Sequence, residues 1–381
     1  MELVLSQDQE LFRDTTRKFL ESSSPLTVVR RLADDPAGFE RDWWRRGAEL
    51  GWTALLVPEE LGGGSITGEG LLDLVLVAEE MGHLVAPGPL LPVNVVASAL
   101  VASGTAEQRE TVLPALVGGE QVATWCFAEP GGRWDAGGVQ LEATSVADGF
   151  TLRGTKSPVE AAGQADYFLV TARTGGGLTQ LLVAADTPGL TVSPLEGIDL
   201  VRRFGEVRFD DVQVPASAVV GEVGGAGPDV ERQLQVALVI QCAETMGATD
   251  RVFTFTLEYA FDRYSFGRPI ASYQALKHRF ADMMSWLQAG HAISDAACAA
   301  AQDDDAAADE LASAAKAFIG RYGGELIQDC VQLHGGIGVT FDHDLHLYLR
   351  RLTVNRSVAG TPREHLRRIA GIVEARQGAA A

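Results

Sequence analysis

Mostly apolar positions recur at three- and four-residue intervals near the start of the chain, at Leu11, Phe12, Thr15, Phe19 and Leu20. Similar spacing returns from Leu71 to Met81 and from Val93 to Leu100. That is the period of a helix with one buried face. Ser6 and Gln9, just before the first stripe, predict a capping box, in which each side chain serves the other residue's backbone. Gly62-Gly63-Gly64 and Pro87-Gly88-Pro89 interrupt the helical zone.

Beyond residue 120 the texture changes to short runs, VATWCF, GFTLRG, DYFLVTA, TQLLVAA, LTVSPL and EVRFDDVQV, separated by Gly, Pro and Asp. Their β-branched and aromatic content predicts strands. Helical spacing resumes after Gly225, over 230–262, 270–301 and 306–333, with the polar QDDDAAAD at 302–309 as an exposed turn. The pattern predicts an α+β chain with a helical domain over 1–119, a β-domain over 120–225 and a helical bundle over 226–381. Neither a strand–helix–strand alternation nor a GxGxxG appears in the β-rich zone, so a Rossmann dinucleotide fold is disfavoured despite 42 glycines.

The 381 residues suffice for several cores. With 31 Lys and Arg against 51 Asp and Glu, the formal net charge is −20, which repels phosphate backbones and anionic lipid surfaces. Nucleic acid and membrane are therefore not expected as partners. Cys126, Cys242, Cys298 and Cys330 are scattered, with neither CxxC pairing nor the density of a disulfide framework, as expected in a reducing cytoplasm. MELVLSQDQELF lacks the basic start and apolar core of a signal peptide, and no charge-free stretch reaches the length of a membrane span. The expectation is a soluble, cytoplasmic protein.

Two stretches carry chemistry. The first is Arg263-Tyr-Ser265-Phe266-Gly267-Arg-Pro-Ile270 with Gln274 close behind, and the second is Gln332-Leu-His-Gly335-Gly336-Ile-Gly338. Taken singly, the first reads equally as a helix terminus and the second as a tight turn. Together, in this order, with FDDVQVP at 209–215 between helical zones, they resemble the RxxFG…Q and QxxGGxG signatures of the acyl-CoA dehydrogenase family.

The resemblance covers essentially the whole chain. It implies an N-terminal helical domain, a middle β-barrel or sandwich and a C-terminal four-helix bundle. It further implies FAD gripped by Arg263, Gln274, Gln332, Gly335 and Gly336, partly across a subunit interface. A planar guanidinium suits a pyrophosphate, amides suit phosphate or adenine edges, and glycines allow close backbone approach. Ser265, Phe266, Ile270 and Thr361 fall at family positions lining the same cofactor, and the backbone of Phe127 and Ala128 at positions meeting the flavin. In such enzymes a carboxylate removes the Cα proton of an acyl-CoA while the flavin takes a hydride from Cβ, leaving a trans-2-enoyl-CoA.

The sequence departs from the family where that carboxylate belongs. The usual Glu of Glu-Gly-Thr is Ala359, 21 residues after Gly338, and the alternative position, 26 residues before Arg263, is Ala237, followed by Leu238. Glu244, seven residues beyond Ala237 and so on the same helix face, is the remaining candidate base, with an interfacial or salt-bridged helix residue as the competing reading. The ring-end loops also differ. Thr-Glu-Pro reads Ala128-Glu129-Pro130, the Gly-Ser step reads Arg133-Trp134, and Lys-x-Trp-Ile-Thr reads Lys156-Ser157-Pro158-Val159-Glu160. His334, His343 and His346, with Asp342 and Asp344, crowd near the second signature, but the segment reads as an amphipathic helix and no metal is expected.

Three functions are compatible. The first is an FAD-dependent acyl-CoA dehydrogenase using Glu244. The second is a base-less partner subunit of an α2β2 enzyme, of the kind found among bacterial sterol-degrading members, that completes a partner's FAD site. The third is a flavin-free scaffold of the same fold. The resemblance also implies a homo- or heterotetramer with another subunit of this family, an acyl-CoA substrate, and an electron-transferring flavoprotein or oxygen as reoxidant.

Overall fold

The computed structural model describes residues 5–131 and 133–380. The chain divides into two compact units. One runs up to Val29 and comprises also Val75–Ala86 and the chain from Leu238 onward; the other comprises Arg30–Leu74 and Pro87–Ala237.

Helices fill the stretch before the sheet: α1 Gln7–Ser23, α2 Leu26–Leu32, α3 Arg41–Glu49, α4 Gly70–His83, α5 Leu90–Ser103, α6 Ala106–Thr111 and α7 Leu113–Val117. Ser6 closes the expected capping box on α1, accepting from the Gln9 N–H at 3.2 Å while the Gln9 amide accepts from Ser6 N–H at 3.0 Å. The buried stripe of α1 is Gln9, Phe12, Thr16 and Leu20, whereas Leu11 is 67% exposed. The true face is thus rotated by one residue, because the apolar Leu11 falls off the spacing that Phe12, Thr16 and Leu20 set. Helix α3, absent from the periodicity reading, buries Trp43 and Trp44.

The β-rich zone forms one hydrogen-bonded sheet, from β1 Ala123–Cys126, β2 Glu142–Val146, β3 Gly149–Glu160, β4 Tyr167–Thr174, β5 Gly177–Ala184, β6 Leu190–Leu195, β7 Phe204–Pro215 and β8 Val219–Val220. The order is β6-β7-β3-β2-β4-β5-β8, with β1 lying parallel to β4. Long antiparallel registers such as Phe150 opposite Val214 and Leu152 opposite Val212 turn alternate side chains inward. They build a core of Phe150, Leu152, Phe168, Val170, Leu181 and Phe209. Burying each such side chain is worth about 1.5–3 kcal/mol. Irregular register between Lys156 and Val159 marks where β3 leaves the ideal ladder.

After the sheet come α8 Gly227–Asp262, α9 Gln274–Gln302, α10 Ala308–His334, α11 Leu345–Ser357 and α12 Pro362–Ala380. Where α4 and α8 meet, Gly82 and Gly247 permit contact: a Cβ on Gly82 would lie 2.0 Å from the Glu244 carbonyl oxygen, and one on Gly247 2.0 Å from that of Glu79. Tyr348 and Arg351 of α11 bond the carbonyls that end this turn of chain, the hydroxyl to His83 at 2.7 Å and the guanidinium to Ala86 at 3.2 Å. Among the described residues, no helix is long and apolar enough to cross a membrane.

Candidate functional site

The first signature forms a tight hairpin beyond α8. Tyr264–Ser265 pairs antiparallel with Arg268–Pro269, and the turn places Phe266 at φ 50° and Gly267 at φ 78°. The Ile270 N–H donates to the Arg263 carbonyl at 2.8 Å, and the Tyr273 hydroxyl donates to the Ser265 carbonyl at 2.8 Å. The structure therefore brings Arg263, Ser265, Phe266 and Ile270 together, with Gln274 opening α9. Arg263, Gln274 and Gln332 are exposed, and Phe266 is 97% exposed.

At the end of α10, Gly335 adopts φ 62°, and neither Gly335 nor Gly336 has an atom within 4 Å of where a Cβ would stand. Tyr259 of α8 stacks on His334 at 4.4 Å, tying the two signatures into one surface. Exposed donors beside open glycine backbone suit a dinucleotide approached from outside the chain. This end fits FAD.

The ring-end residues lie in the other unit, where the groups that the resemblance assigns to the flavin are engaged within the chain. The Phe127 carbonyl accepts from Lys156 Nζ at 2.9 Å and the Ala128 carbonyl from the Ser157 N–H at 2.8 Å. Lys156 is fully buried and paired with Glu129 at 2.8 Å; burial pulls its ammonium below the ordinary range, and the Glu129 charge opposes that pull. Glu160, in the family's Thr position, instead makes two 2.9 Å bonds to Arg202, both side chains nearly buried. Trp134 leans over Trp125 and Phe127 with ring centroids 6.3 and 6.2 Å away. The bulk at Arg133-Trp134 is legible in the sequence, whereas this aromatic packing and the buried lysine pair are not.

Both usual base positions are methyl groups in buried surroundings, Ala237 at 0% and Ala359 at 2% exposure. Ala359 holds φ 60°, and its carbonyl accepts from the His365 ring at 2.8 Å. Burial pushes His365 down to about 4. The ammonium of Lys316, itself buried, holds the preceding loop by bonding Gln241 Oε1 and the carbonyls of Asn355 and Val358. Its only trace in the sequence is a lysine inside the Ala-rich run LASAAKAFIG. Thr361 caps α12: its N–H and hydroxyl donate to the Glu364 carboxylate at 2.7 and 2.6 Å. This bonding holds the Glu364 carboxyl below the usual range.

Glu244 meets the ion-paired description. Its carboxylate lies 2.5 Å from Arg351 Nη1 and accepts from Asn355 Nδ2 at 3.0 Å. The Glu244 side chain is 12% exposed and that of Arg351 2%. A carboxylate so held must part from its partners before it can take a proton from a substrate.

His334 bonds the Cys330 carbonyl at 2.8 Å, and the His334 and His343 rings lie 4.6 Å apart. Among the described residues no three His, Cys, Asp or Glu side chains gather to hold a metal. The four cysteines are buried thiols, and burial pushes Cys126, Cys242 and Cys330 up to about 12.

Three family models match in tandem: acyl-CoA dehydrogenase, N-terminal domain, over residues 6–120; middle domain, over 124–212; and C-terminal domain, over 228–373. The chain is 30% identical over 366 residues to acyl-CoA dehydrogenase IpdE2 of Mycolicibacterium smegmatis, covering 96% of this chain and 98% of that one. It superposes with a TM-score of 0.88 on a chain of the ChsE4-ChsE5 complex from Mycobacterium tuberculosis, at 26% identity and with 98% and 99% of the two chains covered. It also superposes on a chain of a Tcur3481-Tcur3483 steroid ACAD variant, with a TM-score of 0.86, 29% identity and the same coverage.

Proposed function

The chain belongs to the acyl-CoA dehydrogenase family of oxidoreductases, whose cofactor is FAD, and from that premise we propose that it is one half of a two-chain acyl-CoA dehydrogenase. In this reading FAD supplies the hydride acceptor for oxidation of an acyl-CoA to its trans-2-enoyl form, and a partner chain supplies the carboxylate that removes the α-proton. This chain presents Arg263, Gln274, Gln332 and the Gly335-Gly336 backbone to the dinucleotide. Ser265, Phe266, Ile270 and Thr361 take the cofactor-lining role the resemblance implies.

The observation that carries this reading is the state of Glu244. With methyl groups at residues 237 and 359, Glu244 is the remaining candidate carboxylate, and it is committed to Arg351 and Asn355. Two of the matched structures bear two-chain names, and that architecture supports the same reading.

A second reading keeps Glu244 as the base of an autonomous enzyme. It draws on the side chain's 12% exposure, by which Glu244 is not wholly enclosed. One experiment separates the two. Flavin absorbance per chain is measured for the protein purified alone and co-expressed with a second family chain, followed by anaerobic bleaching with a panel of acyl-CoAs. The partner reading expects flavin and bleaching only in the co-expressed complex. Bleaching by the chain alone, abolished in Glu244→Gln, would overturn it and establish the second reading.

A further inference from the structure

We propose that Trp134 closes the flavin-ring shelf of this chain, so that the chain lends its dinucleotide grip to a partner's flavin while its own ring end turns the isoalloxazine away. This deepens, and rests on, the partner-subunit reading. The shelf is the face made by Trp125 and Phe127, two residues apart along extended chain and therefore on the same side. Their rings stack at 5.0 Å with planes 8° apart. The Trp125 indole N–H donates to Gln233 Oε1 at 2.9 Å, and Gln233 is itself paired with Gln180, so the shelf is oriented from below. A fixed stack of two rings beside the backbone of Phe127 and Ala128 offers a flat heteroaromatic ring an aromatic wall to lie against.

That surface is already covered. The Trp134 indole packs against both rings, tilted by 45° and 52°, where Phe127 is 2% and Trp125 7% exposed. Its loop is pinned at both ends. The Glu129 carboxylate accepts from the N–H groups of Gln140 and Leu141 at 2.9 Å and from Lys156 at 2.8 Å. Asp135 accepts from the Gly138 N–H and from Arg133, each at 3.0 Å. These bonds shape the loop that carries the indole, and lifting the indole uncovers apolar ring surface. An incoming ring would also find the carbonyls of Phe127 and Ala128 holding Lys156 and Ser157, and Glu160 held by Arg202.

The test uses the full-length chain titrated with FAD. Bound flavin per chain is measured after gel filtration, and the accessibility of the flavin ring by iodide quenching of its fluorescence. Wild type and Trp134→Phe, which keeps a flat ring over the shelf, are expected to give no flavin shielded from iodide. Trp134→Ser is expected to bind FAD about tenfold more tightly than wild type, with its ring shielded. Trp134→Leu, which removes the flat ring but keeps apolar cover, is read in the same way where circular dichroism shows that the Ser variant has not folded. Equal flavin binding and equal quenching in wild type and variants overturn the role of Trp134 alone. A wild-type chain that already shields the ring also overturns it, and if that flavin is bleached by acyl-CoA the partner-subunit reading falls as well.

Discussion

Glu244 of α8 and Arg351 of α11 are joined by an ion pair of 2.5 Å, and Asn355, one helical turn beyond Arg351, also donates to the carboxylate. Because Arg351 is 1% exposed, its charge has no water to fall back on. Removing one partner of such a pair costs more than the pair itself contributes, since the survivor's charge stays buried after this carboxylate is gone. Glu244→Ala is expected to lower unfolding free energy by about 3–5 kcal/mol, read from urea midpoints, whereas Glu244→Ala combined with Arg351→Met recovers most of the loss. A purely catalytic Glu244 gives the opposite signature, in which turnover is lost and the midpoint is kept.

The buried ammonium of Lys316 organises the loop before Ala359 through Gln241, Asn355 and Val358. Lys316→Met leaves those acceptors without their donor. It is expected to destabilise by about 2–4 kcal/mol, in line with hydrogen bonds to a charged group. Native-state hydrogen exchange checks the location: the gain in exchange concentrates in 355–361, and uniform acceleration across the unit would contradict a local anchoring role.

Stability should respond to pH in two opposed ways. Burial lowers His365 to about 4, so between about 6.5 and about 4 the unfolded chain binds a proton that the folded chain refuses. Stability from this group is whole above that window and falls with pH through it, by up to about 3 kcal/mol. Glu79 runs the other way. Burial raises it to about 7, the His291 charge opposes this, and Asp250 and Asp295 add to it. Its contribution is whole below about 4.5 and is lost as pH rises through about 7. The quarter exposure of its side chain makes its share the smaller. Urea midpoints from pH 4 to 8 test this: His365→Gln flattens the acid limb and Glu79→Gln the neutral limb. An unchanged acid limb in His365→Gln would refute the assignment.

Phe266 at 97% exposure, with Phe261 at 61% and Tyr264 at 62%, leaves aromatic surface bare around the first signature. Patches of this kind mark contacts with another chain. Phe266→Asp is expected to shift the assembled protein toward smaller species in light scattering after gel filtration, with the midpoint of unfolding of the dissociated chain unchanged. A variant that keeps the wild-type mass removes Phe266 from the interface.

The fold was legible where local rules and burial agree. Ser6 and Gln9 announced the start of α1, the six apolar runs marked strands, and the Asp-rich run at 302–309 marked the turn between α9 and α10. Strand β2 escaped notice because EATSV buries only Ala143, so its identity depends on pairing with β3 rather than on its own residues. The signatures identified the family, since Arg263, Gln274, Gln332, Gly335 and Gly336 are exposed and their identities are not set by packing. What the residues could not show was pairing at a distance. Glu244 and Arg351 are separated by 107 positions and Lys156 and Glu129 by 27, and no period links either pair. Trp134 read only as bulk until Trp125 and Phe127 were seen beneath it.

Gly82 and Gly247 also bear on how this sequence can drift. Each is packed against the carbonyl of a residue whose side chain is electrostatically engaged, Glu244 in one case and Glu79 in the other. A single methyl at either position forces the two helices apart and so strains the Arg351 pair and the His291 cluster in one step. Variation here is therefore tied: neither glycine can be exchanged alone, and tolerated change at one ion cluster has to pass through geometry that the other also uses.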